Sequence, residues 1–271
     1  MMKWKNDTVT IEKGQMDYLI FGRGEKTLIL IPGLGDGFKT VKGMAFPFSV
    51  LYRKIGSEYR VYSFSRRRNI AAGHTVRDMA EDLYLAAKAL GIERAHIVGV
   101  SLGGMIAQQL AVVHPDFVEK LVLTVTTDKI EEEYRTVIKR WMEMAEQGDY
   151  AGIMTDTAER SYSEAYLKTA RLMYGVITKI GKPKSFERFL IQARACLDHD
   201  TSGRLDKISC PTLVLGGMQD QIVGAQASFR LAEAIPDTKL YMYEAYGHGA
   251  YEEAKDFQDR LLDFLKQENM L

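Results

Sequence analysis

The sequence has little cysteine and no excess charge of either sign. Its two cysteines, Cys196 and Cys210, are too few for a disulfide framework or for a zinc site of four thiolates, so a reducing, cytoplasmic location is expected. Lysine plus arginine and aspartate plus glutamate both number 36, which leaves a formal net charge of zero. Because nucleic acid is bound through a basic surface, it is not an expected partner.

Long apolar runs are also missing. Residues 1–15 mix charged and polar side chains, without the apolar segment of a signal peptide. The most apolar stretch, 97–113, is interrupted by Ser101 and is shorter than the roughly 20 residues of a membrane span. We therefore expect neither secretion nor a membrane span. Hydrophobic residues make up 46% of the 271, which predicts a large buried core.

Short β-rich segments alternate with helix-like segments, which predicts an α/β fold. Residues 8–11 and 16–21 have the composition of two strands joined by a turn, the pattern of an N-terminal hairpin. Further apolar runs are spaced by segments long enough for helices, which is typical of parallel strands. These runs lie at 27–31, 59–64, 96–100, 121–125, 212–215 and 240–243. The predicted architecture is a mostly parallel central sheet flanked by helices.

Helices are predicted between and after these strands. Thr75 and Asp78 form a capping pair at the start of a helix that Gly91 ends. Residues 225–235 predict a crossover helix. Apolar residues at three- and four-residue spacing from 254 to 265 predict one C-terminal helix.

Residues 128–202 differ from the rest of the chain. Charged and helix-forming residues dominate there, with glycine breaks and no strand pattern. Because sheet-like sequence lies on both sides, we interpret this segment as an all-helical cap. It would be inserted into a core made of residues 1–127 and 203–271.

A G-x-S-x-G motif, from Gly99 to Gly103, comes directly after a predicted strand and before a predicted helix at 102–113. In that context a sharp turn strains the serine backbone, and the glycines let neighbouring backbone approach. The Ser101 hydroxyl then stands at a helix N-terminus, where partial positive charge favours a developing anion. Such pentapeptides also occur as plain tight turns. The motif alone therefore does not identify Ser101 as a nucleophile, and a candidate base and acid must be found elsewhere in the chain.

A serine nucleophile needs a base, and the chain has five histidines. His96 lies in a predicted strand and His114 at a helix end, so core and capping roles explain them. His74 and His199 have no predicted strand to position them. His248 follows the last predicted strand in a glycine-flanked loop, which makes it the preferred base.

The base in turn needs a carboxylate to orient it. Asp220 follows the predicted strand at 212–215 and precedes His248 by 28 residues, in the chain order Ser, Asp, His. Asp128, after the preceding strand, is the alternative. We favour Asp220.

A glycine-rich turn follows the predicted strand at 27–31. Its Gly33 and Gly35 would let a backbone N–H point toward the serine, and we predict an oxyanion hole formed by the N–H groups of Leu34 and Leu102. A surface turn or a nucleotide loop is the alternative. Neither the G-x-G-x-x-G nor the G-x-x-x-x-G-K-[ST] pattern is found there, and no cofactor or metal is expected.

Taken together, the Gly33–Gly35 turn, the Gly99–Gly103 elbow, Asp220 and His248 occur in the order found in the α/β-hydrolase family. The chain resembles that family over nearly its whole length. The resemblance implies that the cap follows the sixth strand and that Ser101 is the nucleophile. It also implies that His248 is the general base and then the acid, that Asp220 orients its imidazole, and that turn and elbow supply N–H groups to an oxyanion.

The chain departs from the usual pattern of the family at two places. Pro32 stands where many relatives have histidine before the oxyanion glycine, which changes the expected loop shape but not donation by the next N–H groups. Arg66, Arg67 and Arg68 replace the family's usual turn after the fourth strand. They could bind a substrate carboxylate, but we favour a solvated basic loop because charge runs usually face water.

These residues predict a serine hydrolase that cleaves an ester-like bond of a small, apolar acyl substrate, with a carboxylic ester preferred. The cap is expected to select the substrate, and the pocket candidates are Trp141, Met144, Tyr166 and Met173. Such residues also hold cap helices together. Thioester, lactone, amide and carbon-carbon bond hydrolysis stay open, as do acyl transfer and ligand binding without turnover.

Overall fold

The computed structural model describes residues 3–178 and 181–267, and these contain an eight-stranded sheet. The strands are β1 (Trp4–Ile11), β2 (Gly14–Gly22), β3 (Thr27–Ile31), β4 (Arg60–Phe64), β5 (Ala95–Val100), β6 (Val118–Thr124), β7 (Thr212–Gly217) and β8 (Thr238–Tyr243). Their order across the sheet is β1-β2-β4-β3-β5-β6-β7-β8. β2 pairs antiparallel with β1 and β4, and all other pairs are parallel. The predicted hairpin and mostly parallel sheet are confirmed.

The helices of the described residues cover both faces of the sheet. They are α1 (Ala45–Leu51), α2 (Arg53–Glu58), α3 (Val76–Ala89), α4 (Leu102–Val113), α5 (Glu132–Glu146), α6 (Tyr150–Ser161), α7 (Glu164–Ile177), α8 (Glu187–Leu197), α9 (Ala225–Ala234), α10 (Ala250–Glu253) and α11 (Phe257–Lys266). None of them is both long and apolar enough to cross a membrane. α3 begins with the predicted capping box of Thr75 and Asp78.

Two helical features differ from the sequence-based expectation. α1 and α2 were not predicted. The C-terminal helix is divided, because α10 ends at Glu253 and the chain turns at Ala254, which has an extended backbone, before α11 begins. The apolar pattern continues through the break because Ala254 itself is buried against the core. The spacing of apolar residues therefore gave no sign that the helix is divided.

Alternate side chains of the central strands face two layers of the core, as the two-residue period of a strand requires. In β3, Ile29 and Ile31 face the layer under α3 and α4, whereas Leu28 and Leu30 face the layer under α1, α2 and α11. Because helices cover both faces, β3 is apolar on both sides, which is the signal that predicted a parallel strand.

Four helices, α5 to α8, follow one another between β6 and β7. An isolated antiparallel bridge between Lys129 and Asp200 joins the two ends of this segment. α8 packs directly on the turn after β3, where a Cβ at Gly37 would lie 2.7 Å from the Phe189 Cα. The segment therefore sits at the edge of the sheet where β3 ends. The cap boundaries at 128 and 202 stay a prediction.

Candidate active site

Ser101 joins β5 to α4 in a backbone conformation that few non-glycine residues adopt. Its φ is 53° and its ψ is −121°. The Ser101 N–H donates to the Thr124 carbonyl at 3.0 Å, and the Ser101 carbonyl accepts from the Thr126 hydroxyl at 2.7 Å. These bonds fix the turn, and the strain is of the kind that the G-x-S-x-G pattern implied.

Two glycines of the motif are required by close backbone contacts. A Cβ at Gly99 would overlap the Gly103 carbonyl, and a Cβ at Gly103 would overlap the carbonyl at the end of β3. Gly33 brings its turn against the serine, since a Cβ there would lie 3.4 Å from the Ser101 Cβ. Gly35 has no atom within 4 Å of its Cβ position, so contacts do not require a glycine there.

His248 and Asp220 form a buried pair on the loops after β8 and β7. The His248 Nδ1 lies 2.7 Å from Asp220 Oδ2, and Oδ1 accepts from the N–H groups of Ile222 and Val223 at 2.8 and 3.0 Å. Burial by itself raises the pKa of Asp220, but His248 and the two N–H groups outweigh it and hold that pKa below its usual value. The ionised carboxylate fixes the proton on Nδ1, which leaves Nε2 as the acceptor.

Two backbone hydrogen bonds hold the loop that carries His248. The Gln219 N–H donates to the Tyr246 carbonyl at 3.0 Å, which joins this loop to the Asp220 loop. The Gly249 N–H donates to the Ser161 carbonyl at 2.8 Å, at the end of α6. The imidazole is therefore positioned by the core and by the inserted helices together.

Ser101 and His248 line one cavity of about 400 Å³ between the sheet edge and the inserted helices. Its apolar walls include Trp141, Ile153 and Phe189. In the described part of the chain no hydrogen bond joins the Ser101 hydroxyl to the imidazole, and such bonds commonly tighten only when substrate is bound. The structure brings the serine and the imidazole to one cavity, with the carboxylate behind the ring.

Asp128, the alternative acid, has a different partner. Its Oδ1 accepts from the guanidinium of Arg230 at 2.9 and 3.1 Å. The carboxylate that contacts His248 is Asp220, as the chain order favoured.

The other four histidines do not line this cavity. His74 and His114 pair with carboxylates of α3 at 2.9 and 2.7 Å. His96 and His199 are buried, and burial lowers the pKa of each to about 4. Both rings are therefore neutral in the folded protein at pH 5, where an exposed histidine carries a proton.

We expect the free energy of unfolding to fall as the pH drops from about 6.5 to 4, because the unfolded chain binds protons at His96 and His199 that the folded chain does not. The loss reaches up to about 3 kcal/mol per histidine. Urea unfolding at pH 7 and pH 4.5 measures it. The His96→Gln and His199→Asn variants should show a smaller loss, and His114→Gln, a partly exposed ring, is the control. An equal loss in all variants would contradict this assignment.

The N–H groups of Leu34 and Leu102 donate to no acceptor among the described residues. Leu102 is the first residue of α4 and Leu34 the first of a short 3-10 turn, so neither N–H has a partner within its helix. Leu102 follows Ser101 in the chain, and Leu34 follows Gly33, the glycine that contacts Ser101. Unpaired N–H groups in this arrangement are what an oxyanion hole requires.

Of the four pocket candidates, Trp141 lines the cavity, and its indole N–H donates to Asp156 at 2.8 Å. The prediction is wrong for the other three. Tyr166 and Met173 are 43% and 47% exposed on α7, and Met144 packs against the core cluster outside the cavity lining. Helical spacing shows which residues share a face, but not which face a cavity will use.

The prediction of a solvated basic loop after β4 is wrong for two of its three arginines. Arg66 and Arg67 are only 4% and 9% exposed. Arg67 pairs with an aspartate of α3 at 2.6 Å, and Arg66 donates to the Pro32 carbonyl in the turn after β3 at 2.5 Å. Arg68 is exposed, as predicted. Each buried guanidinium group has an oxygen partner, although Nε and Nη1 of Arg66 make no hydrogen bond among the described residues.

The formally charged residues of the cavity wall are both acidic, and sequence reasoning missed them. The Asp36 carboxylate pairs with Arg188 of α8 at 2.6 Å, and Glu252 accepts from the Tyr162 hydroxyl at 2.5 Å. Among the described residues no lysine or arginine lines the cavity. Within residues 3–178 and 181–267 no three or more histidine, cysteine, aspartate or glutamate side chains form a group that could hold a metal ion.

Comparison with known proteins identifies the family to which the chain belongs. A family model described as alpha/beta hydrolase fold matches residues 26–255. A protein of Caulobacter sp. (strain K31), provisionally named carbamate hydrolase RutD, is 28% identical over 252 residues, which cover 90% of this chain and 91% of the relative. The 2-hydroxy-6-oxo-6-phenylhexa-2,4-dienoate hydrolase of Comamonas testosteroni is 29% identical over 94% of each chain.

A solved structure has the same fold. MGS-M2, an alpha/beta hydrolase enzyme from a Medee basin deep-sea metagenome library, matches with a TM-score of 0.84 at 20% identity. The match covers 98% of this chain and 99% of MGS-M2. Fold and family thus agree, and all three of these proteins are named as hydrolases.

Proposed function

Because this chain belongs to the α/β-hydrolase fold family, we propose that it is a serine hydrolase that cleaves carboxylic esters of uncharged, largely apolar substrates. The observation that carries the proposal is the buried His248–Asp220 pair at 2.7 Å, whose imidazole lines one cavity with the strained Ser101. A fold alone does not establish an activity, so the argument depends on this site. An imidazole that a carboxylate orients beside a serine elbow is suited to acyl transfer.

In the proposed reaction, His248 Nε2 takes the proton of the Ser101 hydroxyl as Oγ attacks the acyl carbon. The oxyanion that forms accepts hydrogen bonds from the Leu34 and Leu102 N–H groups. As the tetrahedral species collapses, His248 gives its proton to the leaving alcohol, and an ester of Ser101 remains. Water, deprotonated by the same imidazole, then attacks the acyl carbon. The bond from that carbon to Ser101 Oγ breaks, His248 returns the proton to Oγ, and the acid is released.

The charges around the cavity support an uncharged substrate. Glu252 contributes negative charge to its wall, whereas the charge of Asp36 is balanced by its ion pairs with Arg188 and Arg66. A carboxylate moved into this cavity would lose its hydration without gaining an ion pair. The Comamonas relative is named for an anionic dienoate, and this lining favours a neutral ester over such a substrate.

We expect kcat/KM for phenyl acetate to exceed that for 4-carboxyphenyl acetate by about tenfold or more, because the two esters differ by one carboxylate. Steady-state kinetics with both esters measures the ratio. Glu252→Gln should reduce the ratio, whereas the neighbouring Glu253→Gln, outside the cavity wall, should keep it. A protein that cleaves neither ester would contradict the proposed activity, and a preference for the anionic ester would contradict the substrate class.

A further inference from the structure

A second cavity, of about 190 Å³, lies in the other layer of the core, beneath α1, α2 and α11. Its walls are mostly apolar side chains of the central strands and of these helices, among them Leu30, Val98, Ile55 and Leu261. Neither the serine nor the imidazole of the candidate active site lines it. The mechanism described above therefore makes no use of this space.

The two cavities share a wall beside the nucleophile. The residues that line both are Pro32, Gly33, Val100, Tyr251 and Glu252. Gly33 contacts the serine, since a Cβ there would lie 3.4 Å from Ser101 Cβ and 3.9 Å from its Oγ. A carbonyl carbon under attack by Ser101 would therefore lie close to both cavities.

The position of His248 decides which substituent occupies which cavity. The imidazole must reach the oxygen of the leaving alcohol in order to protonate it. His248 lines the first cavity and not the second. A leaving alcohol would therefore lie in the first cavity, which leaves the second cavity for the acyl substituent.

The lining of the second cavity suits an uncharged chain. Ser63 is fully buried, and its hydroxyl has no hydrogen-bond partner among the described residues. Burial raises the pKa of the Tyr52 and Tyr251 phenols, so both are neutral near pH 7. Glu252, on the shared wall, is the one formally charged residue that lines this cavity within the described chain, and it disfavours an anionic substituent.

The second cavity reaches the protein surface at the end of α1. Leu51 lines the cavity and is also 56% exposed. Phe46 and Val50 of the same helix are exposed as well. An acyl chain longer than the cavity would thus continue along apolar surface, where contact with side chains replaces contact with water.

We propose that the second cavity is an acyl-chain site, and that the preferred substrates are esters of uncharged, unbranched acids of medium or greater chain length. This inference rests on the proposed serine hydrolase activity and specifies its substrate class. Burial of one methylene group is worth roughly fourfold in affinity. Chain length should therefore raise kcat/KM until the chain fills the cavity.

The test is kcat/KM for the 4-nitrophenyl esters of acetate, butanoate, octanoate and dodecanoate, below their micelle concentrations and with the leaving group held constant. The octanoate-to-acetate ratio should be about tenfold or more in the wild type. Ser63→Leu fills the inner end and Leu51→Trp narrows the outer end, so each should lower that ratio about tenfold. Val50→Trp, exposed on the same helix but outside the cavity lining, is the matched control and should keep it.

The outcomes distinguish a failure of the acyl-chain site from a failure of the serine hydrolase proposal. Leu51→Trp changes an exposed side chain, so the test stands even if Ser63→Leu fails to fold. A ratio unchanged in the cavity variants, or lowered equally by Val50→Trp, would overturn the acyl-chain site. The serine hydrolase proposal would survive that result as long as Ser101→Ala abolishes cleavage. A wild-type protein inactive on all four esters would overturn both.

Discussion

Asp220→Asn is expected to lower kcat for phenyl acetate by about 10⁴-fold with little change in KM. An asparagine keeps the size of the side chain, but its amide can donate to Nδ1 of His248, which moves the ring proton to Nε2. In that tautomer the imidazole has no acceptor for the proton of Ser101. The loss therefore falls on the chemical step rather than on substrate binding.

Asp128→Asn is the matched control for this prediction. Asp128 is also a buried carboxylate after a neighbouring strand, but its partner is Arg230 and not a histidine. We expect Asp128→Asn to lose stability through this ion pair and to keep kcat close to the wild-type value. Steady-state kinetics combined with urea unfolding of both variants separates the two effects. The reverse pattern, with kcat lost in Asp128→Asn alone, would reassign the acid.

The sheet could be predicted from the sequence because a parallel strand buried on both faces must be apolar at consecutive positions, and this pattern can be read from a short segment. β3 is apolar on both faces, and that pattern is visible in the four consecutive residues 28–31. The helices α1 and α2 could not be predicted in the same way. They are seven and six residues long and contain Pro47 and Gly56, so their stability comes from packing against the sheet and not from local preference.

The site residues could be predicted because each follows a strand. Parallel strands bring their carboxyl ends to one edge of a sheet, so the loops that carry Ser101, Asp220 and His248 had to lie near one another. Thr126, which holds the Ser101 carbonyl, and Glu252, which lines both cavities, belong to no recognisable motif. Their importance comes only from contacts made by the folded chain.

The errors of the sequence-based prediction have a common physical cause. A run of three arginines is typical of a solvated loop, but Arg66 and Arg67 are buried by contacts with the turn after β3 and with α3, which are distant in sequence. Tyr166 and Met173 are apolar residues on an amphipathic helix whose outer face remains in solvent. In both cases tertiary contacts decided the environment of the side chain.

Ser101→Ala is expected to lower kcat for ester cleavage by about 10⁶-fold, because the acyl group then has no nucleophile to accept it. The fold should persist. The bonds to Thr124 and Thr126 use the backbone of residue 101, and alanine can adopt the same strained φ of 53° at a similar energetic cost. The free energy of unfolding should therefore stay within about 1 kcal/mol of the wild-type value.

Whether the hydroxyl at position 101 is an activated nucleophile can be measured directly by intact-mass analysis and peptide mapping after exposure to an alkyl fluorophosphonate. We expect one adduct per wild-type chain, attached to Ser101, none on Ser101→Ala, and much slower labelling of His248→Ala. A folded wild-type protein that gains no mass, or that carries the adduct on another residue, would contradict the proposed nucleophile.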